Sequence, residues 1–366
     1  MQPPIFRPSF GNKPDSVVGR DDVLSATAAC FDSYPGTRER AMLIIGQRGM
    51  GKTALLLEAA DIAVRHDFVP VRTTCGTAML DNIIDGIQRT GEAILNDKKK
   101  PVKGFSAGAL GFSFGLTFTD EVQKTYGFRT KLEMICDRLN EMGKGIAVLV
   151  DEVRADSDPM RQLTTAYQEL AGDGKNIAII MAGLPAVVSE VLDEATLTFL
   201  NRATKIELGP ITISSVRAYY ASAFKRARRT VEGDVLDAAA SSTEGFPYLL
   251  QLIGYYLMEL TSDGELITRD VLDEALRLAE GDMNENVFRA MLRPLSRGDV
   301  DFLQAMAQDE GTTRVGDLEG RLGVSQGHVQ SYRKRLIEAG VVIAPRRGEL
   351  EFIVPGLARY LRDNER

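Results

Sequence analysis

Eight residues constrain this chain more than any others: Gly46-Gln47-Arg48-Gly49-Met50-Gly51-Lys52-Thr53 fits the pattern G-x-x-x-x-G-K-[ST]. The apolar run Ala41 to Ile45 before it has the form of a buried parallel strand, and Thr53 to Arg65 after it has helical periodicity. Strand, Gly-rich turn and helix in that order form the context in which this pattern cradles phosphate. Gly49 and Gly51 let backbone N–H groups turn inward, and the helix adds the positive end of its dipole. Lys52 supplies a mobile cation, and Thr53, with Ala54 beside it in the first helical turn, offers a hydroxyl to Mg²⁺. Arg48 can face either the phosphates or solvent. ATP and Mg²⁺ are therefore the expected ligands.

Further buried-strand candidates are Phe68 to Thr73, Ile146 to Val150 and Ile177 to Ala182, each separated from the last by enough chain for a helix. They predict an α/β fold with a doubly wound parallel sheet, whose ligands gather at the carboxyl edge of the strands. There Ile146 to Glu152, IAVLVDE, ends in two carboxylates. Asp151 is the candidate metal ligand, and Glu152 the candidate base for the attacking water. Such a pair also commonly caps the next helix, and it is the phosphate loop upstream that favours the catalytic reading. The stretch Gly104 to Phe118 alternates Gly, Ser and Phe and reads as a β-hairpin excursion, while Lys98 to Lys100 reads as a solvated loop.

At 366 residues, 44% hydrophobic and 26% charged, the chain is long enough for two or three domains. The expected division is 1–209 for the nucleotide-binding core, 210–293 for a helical lid and 294–366 for a C-terminal domain. Neither a secretory signal nor an apolar run of spanning length is apparent. The three cysteines, Cys30, Cys75 and Cys136, suggest neither a disulfide framework nor a zinc cluster, so a reducing cytoplasm is expected. A net charge of −7 disfavours a general nucleic-acid coat but leaves a local basic patch open.

The motifs together carry a family resemblance. Val17-Val18-Gly19-Arg20-Asp21 resembles the box that precedes the P-loop in STAND ATPases and in origin-recognition-like AAA+ ATPases, where it lines the adenine pocket. Gly245-Phe246-Pro247 resembles their GxP lid motif, whose proline (here Pro247) packs near the base. The stretch from Phe199 through Arg202 to Pro210 looks like their arginine-bearing segment before the last core strand. The layout as a whole is similar to bacterial AAA ATPases of the AAA_16 type. The resemblance implies a P-loop NTPase core of AAA+/STAND type that hydrolyses ATP. In it, Val18, Gly19, Arg20 and Pro247 join the P-loop around the nucleotide, and Arg202 is either a finger reaching a phosphate, in cis or across subunits, or a surface salt-bridge residue. Two departures stand out. The strand Ile177 to Ala182 ends in Gly183-Leu184-Pro185 without the usual polar sensor, and GFPYLLQ lacks the second-sensor arginine.

After Pro210 the sequence predicts helices over Ile213 to Thr230, Val235 to Thr243, Pro247 to Leu260 and Thr268 to Glu280, with a short stretch around Met291 to Leu295 leading into the last domain. That domain reads helix (Gly298 to Gln308), helix (Val315 to Leu322), helix (Gln326 to Ala339, N-capped by Ser325) and a ribbon over Val341 to Val354. This order describes a winged helix. Arg333, Lys334 and Arg335 on the third helix, with Arg346 and Arg347 at the wing tip, could meet duplex DNA. Yet from Ser296 onward eleven basic residues face eleven acidic ones, and a winged helix can equally dock a protein. Two functions follow: a DNA-associated ATPase, or a slow ATP switch that signals to a protein, either of them open to homo-oligomerisation.

Overall fold

The computed structural model of the chain describes residues 4–8, 13–97 and 112–364. The lysine run Lys98 to Lys100 and residues 104–111 of the Gly/Ser/Phe stretch lie outside these. The chain divides into two compact units, Arg20–Gly46 with Lys52–Leu208, and Met1–Gly19 with Gln47–Gly51 and Gly209–Arg366.

The first unit runs α1 (Asp21–Asp32), β1 (Ala41–Gly46), α2 (Lys52–Arg65), β2 (Phe68–Thr74), α3 (Met79–Asp97), β3 (Phe112–Phe114), β4 (Thr117–Phe118), α4 (Asp120–Thr125), α5 (Phe128–Asn140), β5 (Gly145–Asp151), α6 (Asp158–Gly172), β6 (Ile177–Gly183), α7 (Pro185–Asp193) and β7 (Thr204–Leu208). Its five-stranded sheet has the order β2-β5-β6-β1-β7, with every pairing parallel. Parallel strands covered on both faces need continuous apolar sequence. β6 is buried throughout, and β5 is buried from Gly145 to Val150. β7 closes one edge and instead alternates, with Lys205 and Glu207 exposed, a pattern that discourages further pairing. β3 and β4 form an antiparallel hairpin. Leu116, at its turn, is fully buried, its carbonyl accepts a bond from Gln88 Nε2 at 2.7 Å, and Thr117 bonds Glu92 at 2.6 Å. The excursion thus lies on α3. Cys30 and Cys136 are buried and free, and burial pushes both thiols up to about 12.

The second unit contains α8 (Ile213–Arg226), β8 (Thr230–Val231), α9 (Gly233–Ser241), α10 (Pro247–Glu259), β9 (Leu266–Ile267) and α11 (Arg269–Asp282). α8 stops short of the expected Thr230, because Arg228 takes a left-handed turn (φ 56°) that sends the chain into a small parallel pair, β8 with β9. The lead-in joins this unit rather than the core. Phe6, 2% exposed, inserts its ring among Tyr219, Tyr220 and Phe224 at centroid distances of 5.7, 5.8 and 6.0 Å. A Cβ on Gly254 would stand 2.3 Å from that ring, so glycine is what admits it. Arg7 N donates to Gln251 Oε1, and Arg226 pairs with Asp15.

Where the sequence suggests a short connecting stretch before the C-terminal domain, the helix instead runs on. α11 passes through a π-helical turn, Met283–Phe288, into α12 (Arg289–Leu292). Then come α13 (Arg297–Ala307), β10 (Thr313–Arg314), α14 (Val315–Leu322), α15 (Gln326–Glu338), β11 (Val342–Ile343), β12 (Glu349–Phe352) and α16 (Leu357–Asp363). The strands form an antiparallel sheet in the order β10-β12-β11. β10 and α16 are too short for a periodic signal. α16 ties back to the connecting helix, with Tyr360 against Phe288 at 5.3 Å and Arg359 paired to Glu280. No helix among the described residues is long and apolar enough to cross a membrane.

Candidate active site

β1 ends at Gly46, between β6 and β7. Space there is tight, since a Cβ would meet Leu208 Cβ at 3.0 Å. The loop Gln47–Gly51 then turns on two left-handed glycines, Gly49 (φ 77°) and Gly51 (φ 85°), which a side chain would strain. Met50 is buried and anchors the loop, while Gln47 is half-buried and Arg48 is exposed. Arg48 makes no ion pair with the described residues. α2 begins at Lys52 with no acidic residue of its own in its first turn, and its N-terminal dipole favours an anion.

The polar groups of the first unit converge at this edge. Lys52 Nζ donates to the Gly46 carbonyl at 2.8 Å, and Thr53 Oγ1 donates to Asp151 Oδ2 at 2.6 Å. Asp151 ends β5, two strands from β1, and it is parallel pairing through β6 that brings these ends level. Asp151 Oδ1 accepts from the Glu152 amide at 3.0 Å. Glu152 itself is exposed and left-handed at φ 54°, a conformation unusual for a residue with a side chain, and of the kind that persists where neighbours over-determine it. Here the neighbours are Asp151 on one side and, on the other, Val153, whose N–H is held by the Ala182 carbonyl. The sequence offers no sign of that backbone strain.

The missing polar sensor at the end of β6 has a steric reason. A Cβ on Gly183 would lie 2.5 Å from Val153 Cγ2 and 2.9 Å from Val188 Cγ2, leaving room for no side chain. Arg20 stands at the start of α1 without a side-chain capping bond and is half-buried, and that burial lowers its pKa, with Asp22 opposing. Arg202 ends the 3₁₀ stretch before β7, exposed, and forms no ion pair with the described residues.

In the second unit, Val18 is half-buried and Gly19 is left-handed (φ 64°), with a Cβ there reaching Ile211 at 2.9 Å. Pro247 opens α10 with its Cγ 3.9 Å from the Cβ position of Gly51. Phe246 points at Gly49, a contact that the motif pattern does not reveal.

On the C-terminal helices the basic residues part company. Arg335 bonds the buried Asp299 at 2.6 Å and lies over the Tyr332 ring at 4.8 Å, and Lys334 pairs with Glu338 at 3.6 Å. Asp299 also closes a capping box with Ser296. Burial tends to raise the Asp299 pKa, but its bonds from Ser296 and Arg335 outweigh this and hold it below the usual carboxylate range. Arg346 and Arg347 are exposed, Arg333 is half-buried, and none of the three has an ion-pair partner among the described residues. Ser325 stands at the start of α15 without capping it, as its Oγ turns to His328 Nδ1 at 2.9 Å.

Among solved structures, the Walker-type ATPase PABY2304 of Pyrococcus abyssi superposes with a TM-score of 0.69 over 99% of both chains at 15% identity. The Aeropyrum pernix ORC2 protein, in its ADPNP-ADP complexes, gives 0.65 at 14% identity over 97% of this chain and 96% of its own. Its ADP form gives 0.57 at 14% identity over 98% and 97%. The chain has the AAA+ P-loop NTPase fold. At such identities the likeness establishes that fold alone. Within the AAA+ fold, the glycine loop, Lys52, Thr53 and Asp151 stand at the carboxyl ends of β1 and β5, the edge where open α/β sheets bind ligands. A family model described as a domain of unknown function (DUF8462) matches residues 285–361, the end of the connecting helix and the C-terminal module. No curated protein matches the sequence.

Proposed function

We propose that this chain binds and hydrolyses ATP, and that its nucleotide state controls a C-terminal winged-helix module that engages duplex DNA. The observation that carries the ATPase reading is the 2.6 Å bond between the Thr53 hydroxyl and the Asp151 carboxylate, beside a Lys52 whose cation rests on the Gly46 carbonyl. A hydroxyl and a carboxylate brought together at a phosphate loop are the hard oxygen donors that suit Mg²⁺, which takes few protein ligands and leaves the rest to phosphates and water. Thr53 and Asp151 would hold that ion, and it would neutralise charge on the β- and γ-phosphates. The amides of Gln47–Gly51 bind phosphate oxygens, and Lys52 moves from the Gly46 carbonyl to the β- and γ-phosphates. Glu152, exposed and held in place by its strained backbone, accepts the proton of the attacking water as the bond to the β-phosphate oxygen breaks.

Three features support control of the C-terminal module. The helix from α11 to α12 is unbroken, Phe288 packs on Tyr360, and Glu280 pairs with Arg359. Arg346 and Arg347, exposed and without an ion-pair partner among the described residues, support a DNA partner. The engagement of Arg335 and Lys334 with acidic neighbours instead favours the second reading, a switch whose module docks a protein.

Steady-state hydrolysis and nucleotide binding test the ATPase reading. Glu152→Gln is expected to lose about 10²–10⁴ in turnover while still binding ATP, since the amide keeps shape without basicity. Lys52→Ala should lose affinity or turnover outright. Wild-type rates in both variants would overturn the assignment.

A further inference from the structure

The P-loop apex and the lid motif meet at one point. Phe246 is 3% exposed, and an ideal Cβ on Gly49 would lie 2.2, 2.7 and 3.1 Å from its Cζ, Cε2 and Cε1. The tip of the ring therefore rests on the Gly49 backbone, in space that any side chain at that position would fill. Gly245 and Pro247 on either side belong to the recognised motif, whereas the residue between them has no role assigned by it.

The turn that aims the ring is over-determined. The Phe246 N–H donates to the Thr243 carbonyl at 2.8 Å, and the Gly245 N–H donates to Thr243 Oγ1 at 3.2 Å. Thr243, fully buried, donates its hydroxyl to the Ala240 carbonyl at 2.7 Å. The Gly245 carbonyl accepts from the Ile211 N–H at 2.8 Å, and a Cβ on Gly245 would stand 2.2 Å from the Ile211 carbonyl. Glu244 and Gly245 are both left-handed (φ 48° and 70°), and Pro247 fixes the start of α10. The turn cannot shift without breaking several of these interactions together.

The loop beneath is anchored by the buried Met50, one residue past the apex. The Met50 N–H also reaches the Gln47 carbonyl, over a long 3.4 Å. To grip phosphate, its amides must be held pointing inward, with Gly49 left-handed. The lid helix itself brings no charge to this task, since Pro247 to Gly254, PYLLQLIG, contains no cation.

We propose that Phe246 is a positioning residue: its ring wedges the P-loop apex in the phosphate-gripping conformation, so that the lid reads nucleotide through a van der Waals contact with Gly49. The proposal rests on the nucleotide-binding reading above. Removing the ring leaves the apex free to flatten, so ADP and ATP bind more weakly and leave faster. Nucleotide that tightens the loop must in turn change what surrounds the ring.

The chain contains no tryptophan, so Phe246→Trp installs a single fluorophore at the contact. Its emission is expected to be that of a buried indole in the nucleotide-free full chain, and to shift as ADP with Mg²⁺ saturates the site. Alongside it, Phe246→Ala should weaken ADP binding about tenfold and speed ADP release by a similar factor, as expected for about 1.4 kcal/mol. Phe246→Leu, which keeps apolar bulk over Gly49, should recover affinity to within about threefold of wild type. The nucleotide-free Leu variant should melt with the wild type, which separates positioning from loss of fold. If the wild type binds ADP while Phe246→Ala and Phe246→Leu bind and release it equally well, or if the indole emits as if in water, the positioning role is overturned and the nucleotide reading stands. If the wild type binds neither ATP nor ADP, the nucleotide reading falls and takes this role with it.

Discussion

The phosphate-loop edge and the turn between β11 and β12, the tip of the proposed wing, both present charged side chains to solvent, but they hold them differently. Around β1 and β5 the groups bond one another: Lys52 to Gly46, Thr53 to Asp151, and Asp151 to the Glu152 amide. At the wing, Arg346 and Arg347 reach no partner among the described residues, while on the neighbouring helix Arg335 and Lys334 are engaged by Asp299 and Glu338. Groups tied to each other are pre-positioned for a small ligand that exchanges into their bonds. Unpaired exposed cations are available to a large polyanion, which binds through counterion release and needs no fixed geometry. A count of charges cannot make this distinction, because it weighs Arg335 and Arg346 alike.

Arg202 sharpens the comparison most, for it lies in the core unit yet resembles the wing arginines in being exposed and without an ion-pair partner among the described residues. If unpaired means available to another molecule, its target is the phosphate of a second subunit. Arg202→Ala should then cut turnover of the assembled form by on the order of a thousandfold or more while ATP binding survives. Turnover per wild-type subunit should rise with protein concentration. Wild-type turnover by the variant at every concentration would reduce Arg202 to a surface residue.

A smaller effect is expected at the wing. Replacing Arg346 and Arg347 together with alanine should lower duplex affinity and reduce the slope of log affinity against log salt by about two, at about 0.9 for each phosphate no longer neutralised. Titrations with random duplex at several salt concentrations measure this. Absence of any duplex binding by the wild type at low salt would break the comparison at this end and leave the protein-docking switch.

The smallest effect is one of stability. Asp299→Asn removes the N3 carboxylate of the capping box and the partner of Arg335, and should cost about 1–2 kcal/mol in thermal or urea melts. Its pH dependence has a definite sign. The folded pKa of Asp299 lies below its unfolded value of about 3.9, so its contribution is present above that value and is lost as pH falls through the lower folded pKa. The wild type should therefore lose more stability than Asp299→Asn between about pH 4 and more acid conditions. Arg335→Ala should resemble Asp299→Asn in stability and differ from the wing variant in leaving the salt slope nearly unchanged.

Much of the core was legible because its signals are local. The apolar runs of β1, β5 and β6 are each long enough to register, and G-x-x-x-x-G-K-T carries its own geometry. What escaped was set by packing across long sequence distances. α8 stops at Arg226 because of a left-handed Arg228, the π-helical turn at Met283–Phe288 continues a helix where a linker was expected, and β10 and α16 are too short to show a period. At the site, Lys52, Thr53 and Asp151 could be named from pattern. The strain at Glu152, the steric exclusion at Gly183 and the ring of Phe246 on Gly49 could not, since each depends on a neighbour that the sequence does not identify.

Phe6 has a consequence for how the protein is made. It is translated long before the pocket that receives its ring, which is built by Tyr219, Tyr220 and Phe224 and completed by the bare backbone of Gly254. At about 5–20 residues per second of synthesis, roughly 10–50 seconds pass between the appearance of the plug and that of its socket. This aromatic residue thus precedes its socket by the whole of the core, and the second unit is sealed late, by a segment of polypeptide far older than itself.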